Sequence, residues 1–139
     1  MKFLLDTCVI SEFTKKLPHP NALRWMQSQD DVDIFVSSVT IGELRKGIER
    51  LPPGDVRRTK LDFWFNAFVE AFEGRIVPFD KGCAIVWGRI VGDSMRRGCV
   101  RSLIDMQIAA TALQVGMTLV TRNVRDMEDV GVSLLNPFD

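Results

Sequence analysis

The sequence predicts an α/β fold in which a mainly parallel sheet is covered by helices on both faces. Short, apolar, β-prone stretches alternate with stretches of helical periodicity along the whole chain. The first stretch, Phe3 to Leu5, is apolar on both faces, which is typical of a strand buried in a parallel sheet. With 139 residues, 46% of them hydrophobic and 26% charged, we expect one domain spanning residues 1–139.

Local patterns place the individual elements in order. Apolar, β-prone runs predict strands over 2–5, 34–36, 117–121 and 132–135, with a further short strand within 75–79. Helically spaced apolar residues predict helices over 7–15, 21–29, 40–50, 55–73, 81–97 and 102–115. The aromatic residues of the 55–73 helix indicate core or oligomer contacts rather than a cofactor site.

Composition excludes several classes of function. The net charge is zero, with 18 basic and 18 acidic residues, so nucleic-acid binding would need a local basic patch. The three cysteines, Cys8, Cys83 and Cys99, show no CxxC spacing and indicate free thiols in a reducing compartment. The single histidine, His19, lies between two prolines, which disfavours histidine-based catalysis. Without a signal peptide or a membrane-length apolar run, we expect a cytoplasmic protein with no membrane association.

Two acidic residues stand out in the first half of the chain. Asp6 directly follows the first strand, and ligands of open α/β sheets bind at the carboxyl ends of the strands. Capping of the following helix explains an aspartate there as well. Glu43 lies beside the apolar stripe of its helix, with a surface ion pair to Lys46 as the alternative.

The second half of the chain supplies further oxygen ligands. Asp105 lies in a helix that is apolar on nearly every side, and a buried carboxylate costs several kcal/mol unless it is paired or metal-bound. The alternative is an acidic capping box with Ser102. Asn123 and Asp126 follow the strand at 117–121 and are its nearest polar candidates.

A cluster of these carboxylates would need a counter-charge. Carboxylates without a basic partner repel one another, and a divalent cation removes that conflict. Oxygen ligands suit Mg²⁺, with Mn²⁺ as an alternative, better than they suit zinc or copper. We therefore expect Asp6 to be a metal ligand rather than only a helix cap.

The order of these motifs resembles a known family. LLDT, SxxTxxEL, DxxIAATA, LVTRNxxD and a final NP match PIN-domain ribonucleases, specifically VapC-type toxins of toxin–antitoxin pairs. GRIVPFD and LLNPFD are similar to the FitB-like subgroup. The resemblance implies a three-layer α/β/α fold and a Mg²⁺-dependent endoribonuclease that hydrolyses RNA phosphodiester bonds. It also implies inhibition by a cognate VapB-type antitoxin, and we expect a homodimer and a toxin–antitoxin hetero-oligomer.

The resemblance also assigns roles residue by residue. Asp6, Glu43 and Asp105 match the acids of the family's metal site, and Thr121 matches a polar position near it. The fourth acidic position departs from the FitB-like pattern, since Asn123 stands where that pattern has an acid. We expect Asp126 to be the fourth catalytic acid, with Asn123 assisting through a water molecule.

RNA binding would rest on local basic residues. Arg122 and Arg125 lie on the turn after the 117–121 strand. Further candidates for phosphate contacts are Lys15, Lys16, Arg96, Arg97 and Arg101, although any single one is more readily explained as a solvated surface charge. Two other classes of protein are alternatives: a non-catalytic PIN module that binds nucleic acid or protein, and a phosphoacceptor receiver domain. A receiver domain would need adjacent acids after the first strand and a late lysine, which this chain lacks.

Overall fold

All 139 residues are described by the computed structural model, which contains six α-helices and one five-stranded sheet. The strands are β1 (Phe3–Leu5), β2 (Ile34–Ser37), β3 (Ile76–Val77), β4 (Thr118–Val120) and β5 (Leu134–Leu135). The helices are α1 (Thr7–Glu12), α2 (Pro20–Gln27), α3 (Ser38–Glu49), α4 (Val56–Ala71), α5 (Lys81–Arg96) and α6 (Leu103–Val115). Two 3₁₀ turns, Asp31–Asp33 and Val124–Met127, complete the regular structure.

The sheet is entirely parallel, in the strand order β3-β2-β1-β4-β5. The central strand β1 pairs with β2 on one side and with β4 on the other, so that Leu4 lies opposite both Phe35 and Leu119. The predicted parallel α/β architecture is confirmed.

Helices cover both faces of the sheet. The side chains of β1 accordingly alternate between two buried clusters. Phe3 and Leu5 belong to one cluster, which the aromatic side chains of α4 help to cover. Leu4 belongs to the other cluster, together with Met106 and Ile108 of α6. Each strand residue therefore packs under a helical layer, which gives the expected α/β/α arrangement.

Three aromatic residues in or directly after α4 serve the core, as the sequence predicted, whereas Phe63 is exposed. Trp64 stacks on Phe68 with ring centroids 5.1 Å apart, and Phe68 contacts Phe72 at 4.7 Å. All three pack against the cluster that contains Phe3 and Leu5.

The first helix is shorter than its periodicity suggested. It was predicted over 7–15 but ends at Glu12, because the chain then tightens into i→i+3 hydrogen bonds from Phe13 to Ile10 and from Thr14 to Ser11. The three cysteines are free, as expected. None of the helices has both the length and the apolar character needed to cross a bilayer.

Candidate active site

The candidate site lies where the strand order reverses. The chain leaves β1 towards β2 and later returns to the opposite side of β1 with β4. In open α/β sheets this switch point forms the crevice in which ligands bind. Asp6 is the first residue after β1 and Thr121 the first after β4, so the fold places both at the carboxyl edge of the sheet.

Asp6 is buried, with 2% of its surface exposed, and its two carboxylate oxygens have different partners. Oδ1 accepts the backbone N–H of Thr7 at 2.8 Å, which caps α1, and Oδ2 accepts the Thr121 hydroxyl at 2.7 Å. No lysine, arginine or histidine forms an ion pair with it. Asp6 therefore does cap the helix, but the cap leaves its buried charge without a cationic partner.

The hydroxyl of Thr121 is the centre of a small network. It donates to Asp6, and its oxygen accepts the backbone N–H of Asn123 at 3.0 Å. The Cys8 thiol lies 3.7 Å from Asp6 Oδ2 and 3.8 Å from Thr121 Oγ1. Burial, and secondarily the charge of Asp6, raises the pKa of the Cys8 thiol, so it stays protonated at neutral pH. The sequence did not point to Cys8, although its position two residues after Asp6 in the first helical turn was a usable signal.

Glu43 is joined to Asp6 through Thr7. The Thr7 hydroxyl donates to Glu43 Oε1 at 2.7 Å, while its backbone N–H donates to Asp6. The Thr40 hydroxyl lies 3.2 Å from that of Thr7. Glu43 is half-buried in α3 and forms no ion pair, so the alternative pairing with Lys46 is not observed.

Asp105 lies in the first turn of α6, which Ser102 caps. Its backbone N–H donates to Ser102 Oγ at 3.2 Å, which confirms that Ser102 caps the helix. Burial raises the pKa of the Asp105 carboxyl, and the negative charges of Asp6, Glu43 and Asp126 raise it further. The fold therefore brings Asp6, Glu43 and Asp126 within electrostatic reach of Asp105.

The acids open onto two different clefts. Asp105 and Asp126 line a cleft of about 490 Å³, together with Ser102 and Arg125. Glu43 lines a second cleft of about 240 Å³ with Thr7, and Asp6 lines neither. As the side chains stand, no group of three histidine, cysteine, aspartate or glutamate residues is arranged to hold a metal ion.

The chemistry of the donor set nevertheless fits a hard divalent cation. Carboxylates and hydroxyls meet around Asp6 and Thr7, and no basic side chain neutralises the four acids. Mg²⁺ takes oxygen ligands and is held by one or two carboxylates while it keeps several waters, so it does not require a three-residue protein cage. These residues fit such an ion by charge and ligand type.

Asp126 and Asn123 lie on the turn that follows β4. Asp126 is exposed within the 3₁₀ turn Val124–Met127, and its side chain accepts no hydrogen bond. Asn123 is half-buried and is fixed through its backbone N–H to Thr121. The structure brings both residues to the edge of the site.

Most of the predicted RNA-binding residues have partners within the chain. Arg122 lies 3.6 Å from a Glu12 carboxylate oxygen, and its guanidinium stacks over the Phe138 ring at 3.7 Å. The other paired candidates are Lys15 with Glu12, Arg96 and Arg97 with Asp93, and Arg101 with Asp129. Arg125 has no such partner and lines the larger cleft, which makes it the basic residue best placed to contact a phosphate there.

Glu12 is a buried charge that the sequence pattern did not reveal. Its carboxylate accepts hydrogen bonds from Lys15 Nζ at 3.0 Å and from the backbone N–H of His19 at 2.9 Å. These two bonds, with the nearby Arg122, hold the pKa of the Glu12 carboxyl below its usual range. Glu12 therefore anchors Arg122 beside Thr121 and has a structural role.

Comparison with known proteins agrees with this geometry. The family described as PIN domain matches residues 3–132, which include all four acids. The VapC ribonuclease Y4jK of Sinorhizobium fredii is 31% identical, over 98% of this chain and 97% of the relative. The toxin FitB of Neisseria gonorrhoeae is 32% identical, over 97% of each chain.

Solved structures show the same relationship. The crystal structure of FitAcB from Neisseria gonorrhoeae matches with a TM-score of 0.89 and 32% identity, covering 98% of both chains. The structure of FitAB bound to an IR36 DNA fragment matches with the same TM-score and identity, covering 99% of this chain and 96% of that one. The chain therefore belongs to the PIN-domain family, as a member of its VapC and FitB type.

Proposed function

We propose that this chain is a Mg²⁺-dependent endoribonuclease that acts as the toxin of a VapBC-type toxin–antitoxin pair in the cytoplasm, with Mn²⁺ as an alternative cofactor. The observation that carries the proposal is the buried Asp6 carboxylate at the switch point of the sheet, which, like Glu43, Asp105 and Asp126, is not paired with a cation. Relatives that are named ribonucleases or toxins share the full length of the chain.

The charge of the larger cleft supports a role for a cation. Its acidic lining residues are Asp105, Asp126, Glu128 and Asp129, and its basic ones are Arg101 and Arg125. Because Arg101 is already paired with Asp129, the remaining lining is negative. A polyanion such as RNA would be repelled from this surface without a bound cation.

Each residue then has a defined task. Asp6 and Asp105 would hold the ion, with Glu43 contributing directly or through a water molecule. Thr121 and Thr7 orient the carboxylates of Asp6 and Glu43 through their hydroxyls, and Arg125 would contact a phosphate. When bound, the ion lowers the pKa of a water molecule and shields the charge of the phosphodiester. In the reaction a water oxygen would attack phosphorus in line and lose its proton to solvent. The bond between phosphorus and O3′ would break, and the displaced 3′ oxygen would take up a proton, leaving a 5′ phosphate and a 3′ hydroxyl.

The proposed partner is a VapB-type antitoxin. The FitAB and FitAcB structures contain a relative of this chain in complexes. Since Asp6, Glu43 and Asp105 form no ion pair within the chain, we expect the antitoxin to insert an arginine among them, where its charge replaces that of the metal. We also propose that the chain forms a homodimer within a toxin–antitoxin hetero-oligomer.

RNA cleavage by the purified protein tests this function. We expect cleavage in Mg²⁺, complete loss on addition of EDTA, recovery with excess Mg²⁺, and inhibition by the cognate antitoxin. Glu128→Gln is the control, because Glu128 is exposed, lines the same cleft and forms no ion pair; it should cleave at the wild-type rate. RNA binding without cleavage would instead identify a non-catalytic module.

The turn after β4 allows a separate prediction about the fourth acid. We expect Asp126→Ala to slow cleavage about tenfold and to raise the Mg²⁺ concentration needed for half-maximal rate, because an outer charge that supports the ion is lost. Asn123→Ala should have a smaller effect, since that side chain acts through water. Asn123→Asp should lower the required Mg²⁺ concentration by adding a formal charge.

Cleavage measured against Mg²⁺ concentration for these three variants decides the assignment. An Asp126→Ala titration identical to the wild-type titration would remove Asp126 from the site. A larger loss of cleavage rate in Asn123→Ala than in Asp126→Ala would show that Asn123, not Asp126, occupies the fourth position of the site.

A further inference from the structure

One arginine joins three segments at the edge of the larger cleft. The side chain of Arg101 is only 8% exposed. Its Nε donates to Ser94 Oγ in α5 at 2.6 Å, and its Nη1 donates to the backbone carbonyl of Asp126 at 2.7 Å. Its Nη2 donates to the carboxylate of Asp129. Every nitrogen of the guanidinium is therefore bonded to a different part of the chain.

The groups that receive these bonds are themselves fixed. Ser94 is buried, and its hydroxyl donates to the Ile90 carbonyl at 2.8 Å, which leaves the hydroxyl oxygen to accept from Arg101. Asp129 also lies 3.3 Å from Arg97. Its hydrogen bond to Arg101 lowers the pKa of Asp129 to about 2, so Asp129 is charged throughout the neutral range. The arginine thus bonds to a buried hydroxyl on one side and to a charged carboxylate on the other.

These contacts control the two walls of the cleft. Arg101 directly precedes Ser102, which caps α6 and so fixes the backbone at Asp105. Arg101 itself fixes the backbone at Asp126, next to the unpaired Arg125. We propose that Arg101 is a positioning residue that sets the separation of Asp105 from Asp126 and Arg125 across the cleft. This inference rests on the proposed nuclease function.

The role requires the geometry of arginine rather than its charge alone. A guanidinium presents donors in a planar fork, whereas a lysine ammonium is a compact point charge on a flexible stem. Lysine at this position could keep the pair with Asp129 but could not reach Ser94 and the Asp126 carbonyl in the same arrangement. Burial and pairing also make Arg101 a structural tether, not a phosphate contact.

Substitution of Arg101 tests the proposal. We expect Arg101→Met to slow RNA cleavage between about tenfold and a hundredfold, because small misplacements of reacting groups have effects of this size. Arg101→Lys should recover only part of that loss. Arg58→Met is the matched control, since Arg58 is also largely buried, donates to the Leu51 carbonyl at 2.7 Å and to the Glu49 carboxylate at 2.9 Å, and lines neither cleft; it should cleave at the wild-type rate.

A double-mutant cycle separates positioning from a general loss of stability. In a background that carries Asp126→Ala and Arg125→Ala, the groups to be positioned are absent, so Arg101→Met should slow cleavage by no more than roughly twofold. Rates are compared well below the melting temperature of the least stable variant. Equal slowing in both backgrounds, or a wild-type rate for Arg101→Met alone, would overturn the proposal.

Amide hydrogen exchange provides a readout that does not depend on activity. Exchange at residues 124–129 should be faster in Arg101→Met than in wild type, while exchange in β1 and β4 stays unchanged. If Arg101→Met does not fold, Asp129→Asn serves instead. Asp129 is exposed, and this substitution removes its ion pair with Arg101 while Arg101 keeps its other two contacts. Unchanged protection of 124–129 contradicts the positioning role. A wild-type protein that fails to cleave RNA contradicts the proposed function instead.

Discussion

The Asp6→Asn variant is expected to lose RNA cleavage by at least about a hundredfold while it keeps its fold. A bound metal contributes several kcal/mol of transition-state stabilisation, and about 1.4 kcal/mol corresponds to a factor of ten in rate. The fold should survive because asparagine Oδ1 can still accept the Thr7 N–H, and its amide can still face Thr121. Single-turnover cleavage at saturating Mg²⁺ measures the loss.

Thermal unfolding supplies a second readout for the same variant. A ligand that binds only the folded state raises its stability by mass action, so Mg²⁺ should raise the melting temperature of wild type and have less effect on Asp6→Asn. Circular dichroism without metal checks that both proteins are folded. A cleavage rate near that of wild type at saturating Mg²⁺ would exclude Asp6 from the site.

For Asp105→Asn we expect loss of cleavage together with a gain in stability when metal is absent. The pKa of Asp105 is raised in the folded protein by burial and by the charges of Asp6 and Glu43. At neutral pH the charged Asp105 carboxylate is therefore destabilised in the folded chain by its burial and by its acidic neighbours. The asparagine side chain removes that charge, and we expect the melting temperature in EDTA to rise by a few degrees.

The gain should depend on pH in a defined direction. A raised carboxyl pKa means that the folded state binds a proton more readily than the unfolded state does. The proton bound to Asp105 therefore stabilises the folded wild type at low pH, and this contribution to the free energy of unfolding is lost as pH rises through the folded pKa. The advantage of Asp105→Asn should thus be largest above the folded pKa and should vanish below about pH 4, the ordinary aspartate range. Urea denaturation at pH 7 and pH 4 measures it, with Glu128→Gln as control. A gain of equal size at both values would point to a cause other than charge.

The sheet edge could be predicted from the sequence because local patterns determine it. Apolar runs defined β1 and β4, and parallel strands place the residues after them at a common edge, which located Asp6 and the turn after β4. Thr121 was assigned by the family resemblance, and its bond to Asp6 agrees with that assignment. For Asp6 and Asp105 the sequence offered helix capping and a functional charge as alternatives. The structure shows the capping contact at each position, and it leaves both carboxylates without a cationic partner.

The roles of the basic residues could not be predicted, since they depend on contacts between distant positions. Arg122 meets Glu12 and Phe138, and Arg101 meets Ser94 and Asp129. Periodicity and turn signals describe neighbours within one element and say nothing about such pairs. The sequence identified Arg122 and Arg101 as exposed candidates for phosphate contacts, whereas the structure places both in networks within the chain.

The pairing of β1 with β4 determines when this site can form during synthesis. The hydrogen bond between Asp6 and Thr121 joins residues 115 positions apart, and Leu4 pairs with Leu119 only after most of the chain exists. Such non-local contacts form late, after the entropy of closing a long loop has been overcome. A chain still in translation, or one cut before β4, cannot bring Asp6 to Thr121. A site built in this way can assemble only after β4 has been synthesised, so the first residues of the chain wait for a strand more than a hundred positions later.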